Sequence, residues 1–218
     1  MDGIVIGMPP KDATGRFNHC HGSETHMWRK PSERVSPSFA GADKYSKQHS
    51  ITAAVPLWAG LSAGGVAAVT FHKKKKLSDV EWSSAVREGK LRMAIRSLQP
   101  VKPNGPWHIL CDNEAFLRAP KSREAHRDTG MVLWKLPPRS PDLNPIEKYW
   151  SWLRKQLRRR DLADLVLKRP ALTKAGYTKR VKSVLRSRVS QRVAKNCAIG
   201  LKRVCQEVIA KKGAATSA

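Results

Sequence analysis

The amino-acid sequence predicts an α/β fold with a mixed central sheet, flanking helices and a basic helical extension at the C-terminal end. Two observations favour this class. A short apolar run, Trp107 to Cys111, is followed by a helix-prone polar stretch and by a second apolar run, Met131 to Leu136, which is the pattern of a β-α-β unit. Residues 154–218 contain 19 lysines and arginines against three acidic residues, which indicates exposed basic helices.

Composition limits the classes of protein to consider. The chain has 218 residues, of which 40% are hydrophobic, so one domain with a substantial core is expected. The formal net charge of +25 predicts a polyanionic partner, although basic faces that only meet solvent are the alternative. The four cysteines form no Cys-x-x-Cys pair and no secretory signal is visible, so the sequence favours an intracellular protein without a disulfide framework, a zinc ribbon or a small-molecule cofactor.

The first half of the chain contains one apolar stretch that two structures could explain. Residues 50–72 carry no acidic or basic side chain except His72, and are long enough to span a bilayer as one helix. Pro56, Gly60, Gly64 and Gly65 interrupt the stretch, and they favour two strands over residues 51–71 that are joined at Ser62 to Gly65. The sequence therefore predicts a hairpin and no membrane span. Before it, the apolar run Ile4 to Met8 gives only thin evidence of a strand.

An amphipathic segment from Leu77 to Leu98 follows, and its periodicity predicts a helix that ends before Pro100. Its expected buried face is a set of apolar residues at helical spacing: Val80, Val86, Met93, Ile95 and Leu98.

The stretch from Asp112 to Arg160 contains the candidate chemistry. Asp112 ends the first strand of the β-α-β unit, at the sheet edge where sites in open α/β sheets usually lie. After a proline-rich loop, Asn144 as N-cap, Pro145 at the first position and Glu147 at the third predict the start of a helix that runs to about Arg160. Three tryptophans of this region are interpreted as packing residues, not as stacking platforms for bases: Trp134, Trp150 and Trp152.

Two segments carry a resemblance to a known family. The segment His108 to Asn113 (HILCDN) and the segment Pro138 to Glu147 (PRSPDLNPIE) resemble the second and third catalytic blocks of Tc1/mariner-like DDE transposases. The 34 residues between Asp112 and Glu147 match the DD34E spacing of that family. Met27 to Arg34 and Trp58 to Ser62 are similar to two earlier blocks, so the resemblance covers roughly residues 14–160.

The resemblance implies an RNase H-like fold and a site in which three carboxylates hold two Mg²⁺ or Mn²⁺ ions for cleavage and transfer of DNA strands. Asp112 and Glu147 are two of the expected catalytic and metal-binding residues. The first carboxylate departs from the pattern: Thr14 to Asn18 preserves the end of the block, but Ala13 stands where the family has Asp, and Asp12 is the remaining candidate.

Domain organisation and partners complete the expectation. Residues 1–160 are expected to form the RNase H-like catalytic domain and residues 161–218 a basic helical tail, in a truncated copy without the N-terminal helix-turn-helix domain of the family. DNA is the expected partner, the nucleus the expected location, and a homodimer stays open. The alternative is a catalytically inactive nucleic-acid-binding relic. The expected DNA-binding residues are eight lysines and arginines in two runs: Lys73, Lys74, Lys75, Lys76, Arg154, Lys155, Arg158 and Arg159.

Overall fold

A computed structural model of the chain describes residues 1–8, 54–71, 77–97, 106–137 and 140–213. Within these ranges the protein has five strands, six α-helices and two short 3-10 turns. The strands form one antiparallel and one parallel sheet, and the helices pack against them. The predicted mixture of strands and helices is therefore confirmed.

Three strands form the antiparallel sheet, in the order β1 (Asp2–Gly7), β2 (Ala54–Ser62) and β3 (Gly65–Phe71). β2 and β3 are the predicted hairpin, so the alternative of a single membrane helix over this stretch is wrong. The turn requires glycine at position 65, because φ is +114° there and an added Cβ would lie 2.5 Å from the Gln191 side chain. None of the helices in the described part of the chain is long and apolar enough to cross a bilayer.

The amphipathic segment forms two helices in place of the predicted one: α1 (Asp79–Arg87) and α2 (Lys90–Ser97). Ser78 and Glu81 form a capping box that fixes the start of α1. The predicted buried face is partly wrong. Val80 is 54% exposed because it stands six residues, or about 600° of helical rotation, before the buried Val86 and so lies on another side of α1. On α2, Met93 is 68% exposed, whereas Leu91 and Ala94 are buried. Val86 is buried as predicted; nothing is described of the Ile95 side chain, and Leu98 lies outside the described residues.

The β-α-β unit is present as predicted. β4 (Trp107–Cys111) and β5 (Met131–Lys135) are parallel neighbours, and α3 (Pro120–Asp128) connects them after a 3-10 turn. A hydrophobic cluster on one face of these strands contains Trp82, whose indole N–H donates to the buried His126 Nε2 at 2.7 Å. Burial lowers the pKa of His126, so its ring stays neutral and able to accept this bond.

Three helices end the described chain: α4 (Pro145–Val166), α5 (Lys174–Arg186) and α6 (Arg188–Ala210). Asn144 is the N-cap residue of α4 as predicted, but its side chain makes no capping hydrogen bond. α4 also runs six residues past the predicted end at Arg160. The helix therefore crosses without a break the position at which the sequence analysis separated a catalytic domain from a tail.

The three C-terminal helices share one core with the antiparallel sheet. Ile6 and Leu57 of the sheet belong to the same buried cluster as Leu153 of α4 and Val181 of α5. Two polar contacts also join these elements: the hydroxyls of Tyr149 and Ser190 are hydrogen-bonded at 2.7 Å, and Gln191 Oε1 accepts from the Val66 N–H at 2.9 Å. The first turn of α4 is thus held between β1 and the helices that follow it.

Candidate active site

Two acidic side chains from distant parts of the sequence meet at the start of α4. Asp2 opens β1 and is 7% exposed, and its carboxyl group lies beside that of Glu147 in the first turn of α4. Burial, together with the negative charges of Glu147 and Glu114, raises the pKa of Asp2 to about 7, although the hydrogen bond from the Gly3 N–H acts in the opposite direction. Asp2 and Glu147 therefore form a carboxyl pair of which Asp2 is the buried member.

Asp112 lies at the end of β4, on the edge of the sheet nearest this pair. The start of β1 is beside the end of β4, because the Met1 amino group donates to the Leu110 carbonyl at 2.6 Å. Burial lowers the pKa of that amino group, and nearby carboxylates, Asp112 and Asp2 among them, act in the opposite direction. The structure thus brings the predicted Asp112 and Glu147 to one region, with Asp2 between their two elements.

Asn113 fixes the loop that carries Asp112. Its backbone N–H donates to Asp112 Oδ1 at 2.6 Å, and its side-chain Nδ2 donates to the Leu136 carbonyl at 2.7 Å. The second bond ties the end of β4 to the end of β5. Asp112 itself is exposed, so its carboxylate is accessible to a ligand.

A fourth acidic residue borders the same region. Glu114 is half-buried and contributes negative charge to the environment of Asp2. A Cβ at Gly3 would lie 3.5 Å from Glu114 Oε1 and 3.4 Å from the Trp58 ring. The Glu114 carboxylate and the Trp58 ring thus border β1 at Gly3, the residue that follows Asp2.

The sequence analysis missed Asp2. Asp12, the candidate that it named instead, lies outside the described residues. A signal was present: Asp2 stands two residues before Ile4 and four before Ile6, so strand alternation puts all three on one face. The burial of Asp2, Ile4 and Ile6 in β1 agrees with that alternation.

The donor chemistry fits a hard divalent cation. Carboxylate oxygens are the protein ligands that Mg²⁺ and Mn²⁺ prefer, and two carboxyl groups in contact without an intervening cation repel each other when both are ionised. Within the described ranges, no group of three or more His, Cys, Asp or Glu is gathered closely enough to hold a metal ion. The pair Asp2 and Glu147 is therefore the part of the site that the structure assembles, with Asp112 at its border.

Beyond its first turn, α4 exposes a basic side. Lys155, Arg158 and Arg159 are exposed and Arg154 is half-buried, as the amphipathic pattern of the sequence predicts. The other predicted basic run, Lys73 to Lys76, lies outside the described residues. The accessible cations of α4 therefore follow the same helix that places Glu147.

Comparison with known proteins gives a consistent result. The family model of the DDE superfamily endonucleases matches residues 24–166. The chain is also similar to the Mos1 transposase paired-end complex with left transposon end, at a TM-score of 0.60 and 14% identity over 97% of this chain and 54% of that one. The catalytic domain of Mos1 mariner transposase matches at a TM-score of 0.51 and 15% identity, over 76% of this chain and 77% of that one.

A third solved structure, the Mos1 transposase catalytic domain with Raltegravir and Mg, has a TM-score of 0.54 and 14% identity over 75% of this chain and 78% of that one. The chain spans about half the length of the Mos1 chain in the paired-end complex. None of the curated proteins compared with the chain matches it. At these identities the solved structures establish the fold, which is similar to that of the RNase H-like Mos1 catalytic domain.

Proposed function

Because the chain belongs to the DDE superfamily endonucleases, we propose that it is a metal-dependent DNA endonuclease that cleaves and transfers DNA strands as a transposase does. The resemblance to Tc1/mariner-like transposases is confirmed by the family match and by the fold. Mos1 structures with Mg and with Mn, and Mos1 complexes with transposon ends, make divalent ions and DNA the natural ligands to test here.

The contact between Asp2 and Glu147 is the observation that carries this proposal. A carboxyl pair with one buried member costs stability unless a proton or a cation compensates it, and groups with such perturbed pKa values are concentrated at functional sites. Asp2 comes from β1 and Glu147 from the start of α4, and Asp112 ends the strand beside them. We assign to Asp2 the part of first carboxylate for which the sequence suggested Asp12.

The residues of the site divide the work in the proposed reaction. Asp2, Asp112 and Glu147 would hold Mg²⁺ or Mn²⁺, which when bound supplies an activated water or 3′-hydroxyl nucleophile and neutralises the leaving oxygen of the phosphodiester. Asn113 keeps Asp112 at the sheet edge through its bond to the Leu136 carbonyl. The packing of Trp58, 3% exposed, shields one side of β1 from water near Asp2.

The basic side of α4 supports DNA as the partner. Lys155, Arg158 and Arg159 are exposed along the helix that carries Glu147, and such cations bind phosphates without reading base sequence. We also propose Arg154 and the run Lys73 to Lys76 as DNA-binding residues. A nuclear location and a homodimer are two further parts of the proposed function. We expect DNA binding to weaken steeply as salt rises, because neutralised phosphates release counterions.

Nicking of supercoiled plasmid tests the proposal. The wild-type protein should convert supercoiled to open-circular DNA in the presence of Mn²⁺ or Mg²⁺ and not with EDTA. Asp2→Asn, Asp112→Asn and Glu147→Gln should each reduce the rate by at least about 100-fold, since each removes a charged oxygen ligand of the ion.

Two further variants make the result specific. Glu124→Gln changes an exposed acid of α3 and should leave nicking unchanged. Asp12→Asn separates the two candidates for the first carboxylate: activity lost with Asp12→Asn but kept with Asp2→Asn would overturn the assignment of Asp2. Salt-sensitive DNA binding without metal-dependent cleavage by the wild type would instead establish the alternative, an inactive DNA-binding protein.

A further inference from the structure

Among the described residues, one tryptophan is exposed beside the candidate site. Trp134 of β5 is 58% exposed, whereas Trp150 is 1% exposed and Trp152 is packed against the Tyr149 ring at 5.6 Å. The expectation that all three are packing residues is therefore wrong for Trp134. The alternation of β5 explains the difference: Met131 and Leu133 face the hydrophobic cluster of the β-α-β unit, and Val132 and Trp134 face away from it.

The pairing of β4 with β5 places Trp134 close to Asp112. Trp134 is the register partner of Leu110, and Asp112 lies two residues beyond Leu110, so strand alternation puts it on the same face of the sheet. The ladder continues to this point, since the Leu136 N–H donates to the Cys111 carbonyl at 3.0 Å. Strand geometry gives a separation of about 8 Å between the Cα atoms of Trp134 and Asp112.

Among the described residues, the His108 ring contacts the ring of Trp134. The two rings meet edge to face, with a centroid distance of 5.2 Å and an interplanar angle of 68°. This contact restricts the indole without covering it, since Trp134 stays 58% exposed. A restricted and accessible aromatic ring suits a ligand that has a flat ring of its own.

We propose that Trp134 is a stacking platform for an unpaired nucleobase two or three nucleotides from the phosphate that is cleaved. The inference rests on the proposed function, because it requires DNA at Asp2, Asp112 and Glu147. A separation of about 8 Å corresponds to two or three steps along a DNA strand, whose repeat is about 3.4 Å when stacked. An unpaired base is required because bases inside a duplex already stack on both faces.

The alternative occupant of this face is a protein segment that covers Val132 and Trp134. The charge of the chain favours DNA, because a formal net charge of +25 attracts a polyanion and gives no advantage to an apolar protein segment. The two occupants respond differently to the removal of the ring.

Binding of fluorescein-labelled oligonucleotides in Ca²⁺, measured by anisotropy, tests the proposal. The two ligands are a duplex with a short single-stranded overhang and the same duplex with blunt ends. Trp134→Ala should weaken binding of the overhang duplex by about 5- to 150-fold, the range for one stacked base, and leave blunt-end binding unchanged. Trp134→Phe should restore most of the loss. Val132→Ala, on the same face and strand, is the matched control and should change neither affinity.

A 2-aminopurine in the overhang gives a second readout, because stacking on an indole quenches its emission. The quenching should be present with the wild type and absent with Trp134→Ala. Equal weakening of both duplexes, or unchanged binding of both, would overturn the stacking inference while leaving the proposed function intact. If the wild type binds neither duplex and nicks no plasmid, the proposed function itself fails. A melting temperature lowered by Trp134→Ala without any loss of DNA affinity would show that the ring serves packing, for example against His108, and would overturn the inference.

Discussion

Two carboxylates meet near each end of α4, but the charged groups around the two pairs differ. At its start, the carboxyl group of Glu147 meets that of Asp2. Near its end, Asp161 and Asp164 both contact the guanidinium of Arg180 on α5: Arg180 Nη1 lies 2.6 Å from Asp161 Oδ1, and Nη2 contacts Asp164 Oδ2. Tyr177 adds a hydroxyl that donates to Asp161 at 3.0 Å.

The pKa values of the two pairs follow this difference. Burial, the largest cause, and the nearby charges of Glu147 and Glu114 together raise the pKa of Asp2 to about 7. Burial acts in the same direction on Asp164, but the hydrogen bonds and charge of Arg180 outweigh it and hold the pKa of Asp164 below its usual value. Acids whose charge the protein compensates hold the fold together, and acids that it leaves uncompensated are prepared for a ligand.

Removing the guanidinium should produce the largest change in stability. Arg180→Met removes the guanidinium from the buried Asp161 and leaves Asp164 paired with Arg169, whose Nη1 lies 3.2 Å from Asp164 Oδ1. It should lower the free energy of unfolding by about 3–5 kcal/mol in urea denaturation. Lys179→Met removes the preceding charge of α5 from an exposed position and should change it by less than about 0.5 kcal/mol. Equal effects of the two substitutions would show that the ion pair contributes nothing beyond an ordinary surface charge.

Adding a cation at the start of α4 should raise the free energy of unfolding. Mn²⁺ at about 100 times its dissociation constant should raise the free energy of unfolding of the wild type by about 2.7 kcal/mol, because it binds only the folded chain. Asp2→Asn and Glu147→Gln should lose most of this gain, and Glu124→Gln should keep it. A gain of the same size in all four proteins would place the ion elsewhere, and thermal unfolding with and without Mn²⁺ measures it.

An exposed ion pair should make the smallest contribution to the free energy of unfolding. Lys211 and Glu207 lie four residues apart at the end of α6, with Nζ and Oε1 2.8 Å apart. Glu207→Gln should lower the free energy of unfolding by no more than about 0.5 kcal/mol, since solvent screens such pairs. A loss of unfolding free energy as large as that caused by Arg180→Met would contradict the distinction between buried and exposed ion pairs.

The elements that depend on local sequence patterns could be predicted from the sequence. The hairpin at Ser62 to Gly65, the β-α-β unit and the start of α4 at Asn144 are specified by turn residues, alternation and prolines near the element itself. The break between α1 and α2 was not predicted, because a single Gly89 changes the phase of a pattern that otherwise reads as continuous. The extension of α4 past Arg160 was missed as well, because Asp161 and Asp164 look like exposed residues until Arg180 is seen beside them.

In the candidate site, too, local sequence patterns predict some residues and not others. Asp112 and Glu147 could be identified because both lie in segments with family-specific spacing. Asp2 could not, since its assignment depends on the packing of β1 against α4, a contact between residues 145 positions apart in the chain. Trp134 was misread for a related reason: a tryptophan in an apolar run reads as a core residue until the sheet shows which of its faces is covered.

The uninterrupted length of α4 makes it a lever between its two ends. Its 22 residues extend about 33 Å, so a rotation of only about 2° about the Arg180 end would move the Glu147 end by about 1 Å. A shift of that size is enough to spoil the alignment of reacting groups. Under the proposed function, substitutions in α5 and α6 can therefore alter the rate of strand cleavage without contacting the DNA.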